Sequence, residues 1–278
     1  MASPLPSLLY VKSLIVGTRL GDAAGHLRWL FGYRQRHRHP ELWELYLEEH
    51  WLPVILQRLL TPNSCGVDVG SHIGSFLGLL RRYAPQGRHV AFEPSPTKSR
   101  WLKRRFRDVE TFPQAVADRA GTAVFEEDTA QSGYSHLVTP GSAPKNQGGG
   151  ASHFDVQICR LDDVLRDRER IDLIKIDVEG GELAVLRGAA ALIRKWQPSI
   201  IFECGSEYGM EQKDLSRRDL YDYVTSDLGY KIFCFADFAF DKGELTFDEF
   251  RKCGLYPFRA FNFVAVPRRA DKMGARHA

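Results

Sequence analysis

From Cys65 onward the chain alternates between apolar runs of strand length and stretches of helical periodicity. That alternation narrows the possible folds more than any other feature. The runs are CGVDV (65–69), HVAFE (89–93), ETFPQAV (110–116), IDLIKID (171–177), PSIIFEC (198–204), YKIFCF (230–235) and FNFVAV (261–266). Helical patterns lie between most of them, at Ile73–Tyr83, Pro96–Arg107, Glu182–Trp196 and Leu215–Leu228. Strand, helix and strand repeated in this way build a parallel sheet covered on both faces. The runs are apolar throughout, as strands buried on both sides are. Two further runs, TAVFEE (122–127) and FDVQIC (154–159), read as extra strands around a polar, glycine-rich loop, Thr139 to Ser152. The last two runs lack a full helix between them and are expected to pair antiparallel at one edge of the sheet.

Residues 1–64 follow a different pattern. Arg34 to His39 (RQRHRH) is strongly basic, either a contact for an acidic partner or a solvated connector. Pro40 and Glu41 open an amphipathic stretch, ELWELYLEEHW, and Pro53 is expected to start a second short helix. Pro6 to Leu20 (PSLLYVKSLIVGTRL) is faintly like a secretory signal, but no basic residue precedes its apolar part and Lys12 interrupts it. No stretch reaches the roughly 18 uncharged apolar residues of a membrane-spanning helix. With 38 Lys and Arg against 35 Asp and Glu, nothing in the net charge calls for nucleic acid. Five scattered cysteines without a C-x-x-C pair read as reduced thiols, which fits the cytoplasm. The expected organisation is a helical cap over 1–64, one α/β domain over 65–267 and a disordered tail over 268–278.

The segment CGVDVGSHIGSFLGLL (65–80) is strand, glycine turn and helix, the shape of a nucleotide-binding loop. No Lys follows Gly74, so it is not a P-loop, and the turn has no G-x-G, so it is not a dinucleotide fingerprint. Asp68 places a negative charge where a phosphate loop avoids one. Such a carboxylate suits S-adenosylmethionine (SAM), which carries an ammonium and a sulfonium. Gly70 and Gly74 would let the backbone approach that ligand, and the following helix start could take its carboxylate.

The second strand ends at Glu93, 25 residues after Asp68, where an acid takes ribose hydroxyls; the competing reading is a helix-dipole carboxylate. Ser95 is placed as N-cap and Pro96 as first helical residue. In IDLIKIDVEGGELAVLRGA (171–189), Lys175, Asp177, Glu179 and Glu182 crowd the end of a strand. Glu179 and Glu182 could serve only the next helix. Asp177 ends the strand expected to be central, where active sites of open α/β sheets form.

Four segments, VDVGSHIGSF (67–76), AFEPSP (91–96), AVADRAG (115–121) and LIKIDVEGGELAVLRGA (173–189), resemble in order the FkbM family of SAM-dependent methyltransferases. The resemblance covers roughly residues 41–205. It implies a Rossmann-like class I methyltransferase: a mostly parallel seven-stranded sheet with an antiparallel edge strand. It also implies O-methylation of a sugar or natural-product hydroxyl. It places Asp68, Gly70 and Gly74 along the methionine part of SAM, with Ser71 and His72 also at the cofactor, Glu93 at the ribose, Ala115, Val116 and Asp118 near the adenine, and Asp177 and Glu179 at the transfer site, where Asp177 also meets the cofactor. The family commonly has Ala-Asn where this chain has Ser71-His72.

An aliphatic hydroxyl needs a base. The candidates are Asp177, then His72, then His136 in GYSHL. Glu203 could shape the acceptor pocket or balance Lys175. Asp177, Glu179 and Glu203 are oxygen ligands of the kind Mg²⁺ takes, but no spacing compels a metal and none is expected. Phe235, Phe238 and Phe240 could stack on an acceptor ring or belong to the core. The rival functions are a catalytically inactive SAM-binding protein and another nucleotide-binding enzyme such as a dehydrogenase.

Overall fold

The structure is a computed structural model and describes residues 15, 18–128, 136–137, 151–205 and 217–268. Helices α1 (Arg19–Phe31) and α2 (Tyr33–Arg38) lead through a 3₁₀ turn at Pro40–Leu42 into α3 (Trp43–Leu59). Then come β1 (Gly66–Val69), α4 (Ser75–Tyr83), β2 (Val90–Phe92), α5 (Pro96–Arg105) and β3 (Glu110–Phe112). Strands β4 (Gln114–Val116), β5 (Gly121–Asp128), β6 (His136–Leu137) and β7 (Ala151–Cys159) follow. The chain continues with α6 (Leu161–Val164), β8 (Leu173–Ile176), α7 (Glu182–Gly188), α8 (Ala190–Trp196) and β9 (Ser199–Glu203). It closes with α9 (Arg217–Asp222), a π-helical turn at Tyr223–Asp227, β10 (Tyr230–Cys234), α10 (Phe235–Ala239), α11 (Phe247–Cys253) and β11 (Asn262–Pro267).

The main sheet has seven strands in the order β10-β11-β9-β8-β1-β2-β3. The pairs among β9, β8, β1, β2 and β3 are parallel, and β11 runs antiparallel to both its neighbours. This is the mostly parallel α/β sheet expected. The antiparallel pairing does fall at one edge, but the reversed strand itself, β11, lies one place in, between β9 and β10. The chain crosses over through α9 to lay β10 outermost, and β11 returns into the gap.

Four departures from the sequence expectation have local causes. ETFPQAV is two strands: β3 closes the main sheet, and β4 joins β7, β5 and β6 in a second sheet. Pro113 between them has no N–H for the ladder. Pro53, expected to start a helix, sits inside α3, which continues past it because Ile55, Leu56 and Leu59 are buried beyond it. The helix expected over 182–196 breaks at Ala189, which leaves helical geometry (φ −113°, ψ 8°). The basic run is helical rather than a connector, and Arg36 is buried with its guanidinium 3.6 Å from the centre of the Trp29 ring. Thr139–Gly150 of the glycine-rich loop and residues 269–278 of the tail lie outside the described residues. Among those described, no helix is long and apolar enough to cross a membrane.

Apolar layers cover both faces of the main sheet. Val67, Val69, Ile174, Ile176, Ile200 and Phe202 pack on the side of α7, α8, α9 and α11. Ala91, Leu173, Ile201 and Val264 pack under α3, α4 and α5. Side chains alternate along a strand, so Asp68, Lys175 and Glu203 share this second face.

Candidate active site

Strand order reverses between β8 and β1, and a ligand crevice of an open α/β sheet forms outside the carboxyl ends at such a point. Asp68 and Lys175 are register partners there. Asp68 is 0% exposed, and neither of its carboxylate oxygens has a hydrogen-bond partner among the described residues. The Ser71 hydroxyl donates instead to the Asp68 main-chain carbonyl at 2.9 Å. Lys175 Nζ is 3.7 Å from Asp68 Oδ1, an ion pair without hydrogen-bond contact. Burial pushes the Asp68 carboxyl up, and Lys175 only partly opposes it.

Lys175 leans toward Asp177, with Nζ 2.9 Å from its Oδ2, and also reaches the Gly70 carbonyl at 3.4 Å. Burial alone would raise the Asp177 carboxyl. Lys175, a hydrogen bond from Glu203 and the charge of His72 outweigh it and hold Asp177 below the usual range. Burial, then Asp177 and Glu179, push Glu203 up to about 9, so it carries a proton and donates it to Asp177. Asp177 is one-third exposed, the accessible end of this chain of charges. Among the described residues, no three His, Cys, Asp or Glu side chains gather in a metal-binding group.

The first loop is tied down by main-chain bonds. The Gly70 and Ser71 N–H groups donate to the Phe92 carbonyl at 3.0 and 3.1 Å. The His72 N–H donates to Glu93 Oε2 at 2.7 Å, and the Ser95 N–H to Glu93 Oε1 at 2.9 Å. Burial raises Glu93 to about 7 despite Lys98 and these donors. Each Glu93 oxygen keeps a second acceptor position. Ser95 caps α5 as expected, accepting from Lys98 N.

Three loop residues have backbone conformations with reasons inside the chain. Gly70, at φ +80°, is required by the chain itself: a Cβ there would lie 1.8 Å from the Asp177 carbonyl oxygen. Gly74, at φ +89°, faces Phe106 and Leu102, with a Cβ falling 2.3 Å from the Phe106 ring. These glycines let loop and core close on each other. His72 sits at φ +51°, a conformation in which Asn, Asp and His are the enriched non-glycine residues. An Asn-to-His exchange is therefore conformationally conservative at this position.

Asp68, Gly70, Ser71, His72, Gly74, Glu93 and Asp177 thus gather at the ends of β1, β2 and β8. Glu179 follows Asp177 at φ +56° and acts electrostatically on Glu203. Ala115 and Val116 are buried in apolar clusters, and Asp118 is exposed. No contact described joins these three to the charged group. His136 lies in β6 of the second sheet rather than in a loop, and its side chain lies outside the described residues. Phe235 is core, Phe238 packs against Phe233, and Phe240 lies against Trp51. The sequence marks Lys175 only as one of four ionisable residues near the strand end, and the β1–β8 register puts it at the centre of the charged group. The i, i+2 spacing of Lys175 and Asp177 in LIKID was the signal for it.

A mostly parallel, doubly covered sheet with a charged crevice at its switch point is a Rossmann-like, ligand-binding architecture. The chain belongs to the FkbM methyltransferase family: the Methyltransferase FkbM domain matches residues 68–232. It is 31% identical over 179 residues to methyltransferase sdnD of Sordaria araneosa, covering 50% of this chain and 69% of that one. Methyltransferase 1 of Beauveria bassiana (strain ARSEF 2860) is 28% identical over 142 residues, covering 44% and 57% of the two chains. The crystal structure of methyltransferase FkbM from Methylobacillus flagellatus KT overlaps 74% of this chain and 44% of its own, with 17% identity and a TM-score of 0.46, a level at which no residue role transfers. The protein is a methyltransferase.

Proposed function

We propose that the protein is a SAM-dependent O-methyltransferase acting on a hydroxyl of a sugar or natural-product-like small molecule. The observation that carries this is Asp68, a fully buried carboxylate with both oxygens unbonded. Leaving such a group unsatisfied costs stability unless a ligand completes it. Asp68, Asp177 and Glu179 against Lys175 and His72 leave the crevice with an excess of negative charge, which suits a cationic, phosphate-free ligand. SAM fits this donor set. Asp68 would accept from its ammonium and Glu93 from its ribose. The N-terminus of α4, which has no side-chain cap, would take its carboxylate. In this reading residues 65–267 form the methyltransferase domain and residues 1–64 a helical cap over it. Adenine contact at Ala115, Val116 and Asp118 rests on the family resemblance.

When bound, SAM supplies a methyl group on a sulfonium, and the acceptor oxygen takes it by in-line displacement. Asp177 accepts the hydrogen bond of the acceptor hydroxyl and so fixes the line of attack. A hydroxyl becomes strongly acidic as its oxygen bonds to carbon, so a carboxylate of low pKa suffices to receive the proton. Lys175 keeps Asp177 ionised and in place, and Glu203 holds its other side. His72 remains the second candidate base.

Labelled methyl transfer from SAM to a panel of hydroxylated sugars and small molecules tests this. The wild type turns over at least one acceptor. Asp177→Ala lowers kcat about 100-fold or more with SAM affinity retained. Tight SAM binding with no methylated hydroxyl product would assign a binding role instead.

A further inference from the structure

Helix α1 turns its apolar stripe away from the protein. Leu20, Leu27, Leu30 and Phe31 are 70%, 53%, 66% and 83% exposed. At 100° per residue, Leu20, Leu27 and Phe31 fall within an arc of about 40°, with Trp29 on the opposite side of the helix. Trp29 makes the inward contacts: its ring meets Trp43 at 5.9 Å and His50 at 4.4 Å, and Arg36 lies over it. The stripe is thus a solvent-facing surface of large side chains in line. Tyr33, two residues past the end of the stripe, is also exposed. Contiguous apolar surface of this kind marks an interaction site.

Charge selects the partner. Residues 1–40 hold six Lys or Arg against one acid, Asp22, a net charge of +5, while the whole chain is +3, so the remainder is −2. His37, Arg38 and His39, directly after the stripe, are exposed. A symmetric contact between two copies through α1 would bring two strongly basic segments together. A short amphipathic helix with Leu and Phe on one face and exposed basic residues just past its end is built for the interface of an anionic bilayer. At 13 residues α1 is too short to span one and would lie in its plane.

We propose that α1, with the basic segment after it, docks this protein onto anionic phospholipid surfaces. Leu20, Leu27 and Phe31 enter the acyl boundary, and the exposed Arg38, flanked by His37 and His39, meets the headgroups. This is independent of the methyl acceptor. Co-sedimentation of the full chain with vesicles of phosphatidylcholine, alone or with about 30% phosphatidylglycerol, tests it. The wild type sediments with the anionic vesicles, is left behind by the neutral ones, and is largely released by roughly 1 M salt. The exposed double substitution Leu27→Glu with Phe31→Glu reduces binding about tenfold or more, with circular dichroism and Tm unchanged. Three results would each overturn the proposal. One is no sedimentation with anionic vesicles. Another is equal binding by the double variant. The third is a wild-type dimer by light scattering that the double variant abolishes without vesicle binding, which would make the stripe a contact between copies.

Discussion

Glu48 on α3 and Asp68 on β1 are carboxylates buried on the same side of the main sheet, and their surroundings are opposite in kind. Glu48 accepts from the main-chain N–H groups of Phe261 and Asn262 at 2.8 and 2.9 Å and from the Asn262 side chain at 2.9 Å. It fastens the start of β11 to α3. Arg259 reinforces that junction, paired with Asp237 at 2.7 and 2.8 Å and with Glu44 at 2.7 Å. Asp68 has no such donors. A satisfied buried carboxylate is a fastener; an unsatisfied one is held ready for something else. The two regions meet in β11, where Asn262 pairs with Glu203 across the ladder, so α3 supports the wall of the crevice.

The largest effect should follow from breaking the satisfied side. Glu48→Ala leaves the Phe261 and Asn262 donors unpaired and should lower stability by roughly 2–4 kcal/mol in urea unfolding, while SAM affinity stays within about threefold. A comparable loss of SAM affinity would show that the fastener and the site are not separate.

A smaller effect distinguishes Glu203. Its pKa in the folded protein lies above the unfolded value, so the folded state binds the proton more tightly. The associated stability is present below about 4.5 and is lost as pH rises toward about 9. The urea midpoint should fall across that window in the wild type, and Glu203→Gln should remove that part of the slope. An unaltered slope would contradict a protonated Glu203 on Asp177.

The smallest effect is expected at the loop between them. His72→Asn keeps a residue suited to positive φ and should change stability by less than about 0.5 kcal/mol. If turnover collapses while SAM affinity holds, His72 and not Asp177 is the base.

Most of the parallel sheet was legible because each strand buried on both faces writes its own apolar run, with Gly, Pro and caps between. The place of β11 was not, because strand order depends on where a returning chain finds a gap. Pro113 and Pro53 show the limit of local signals: one breaks a ladder, while the other is carried by the buried turns beyond it. Within the site, Asp68, Glu93 and Asp177 announced themselves at strand ends. The pairing of Asp68 with Lys175 is a register between distant segments, which no local pattern encodes. The reasons for Gly70 and Gly74 were hidden for the same cause, since the atoms they avoid belong to Asp177, Leu102 and Phe106.

The central claim is that Asp68 is left unsatisfied for a cationic cofactor. Calorimetric titration of SAM into wild type and Asp68→Asn, with the ligand-free unfolding midpoint of each, tests it most directly. Asp68→Asn should weaken SAM at least about tenfold while leaving the ligand-free protein as stable or more stable, because the cost of burying a carboxylate without hydrogen-bond donors is gone. Unchanged SAM affinity with a clear loss of stability would contradict the claim and make Asp68 a structural carboxylate like Glu48.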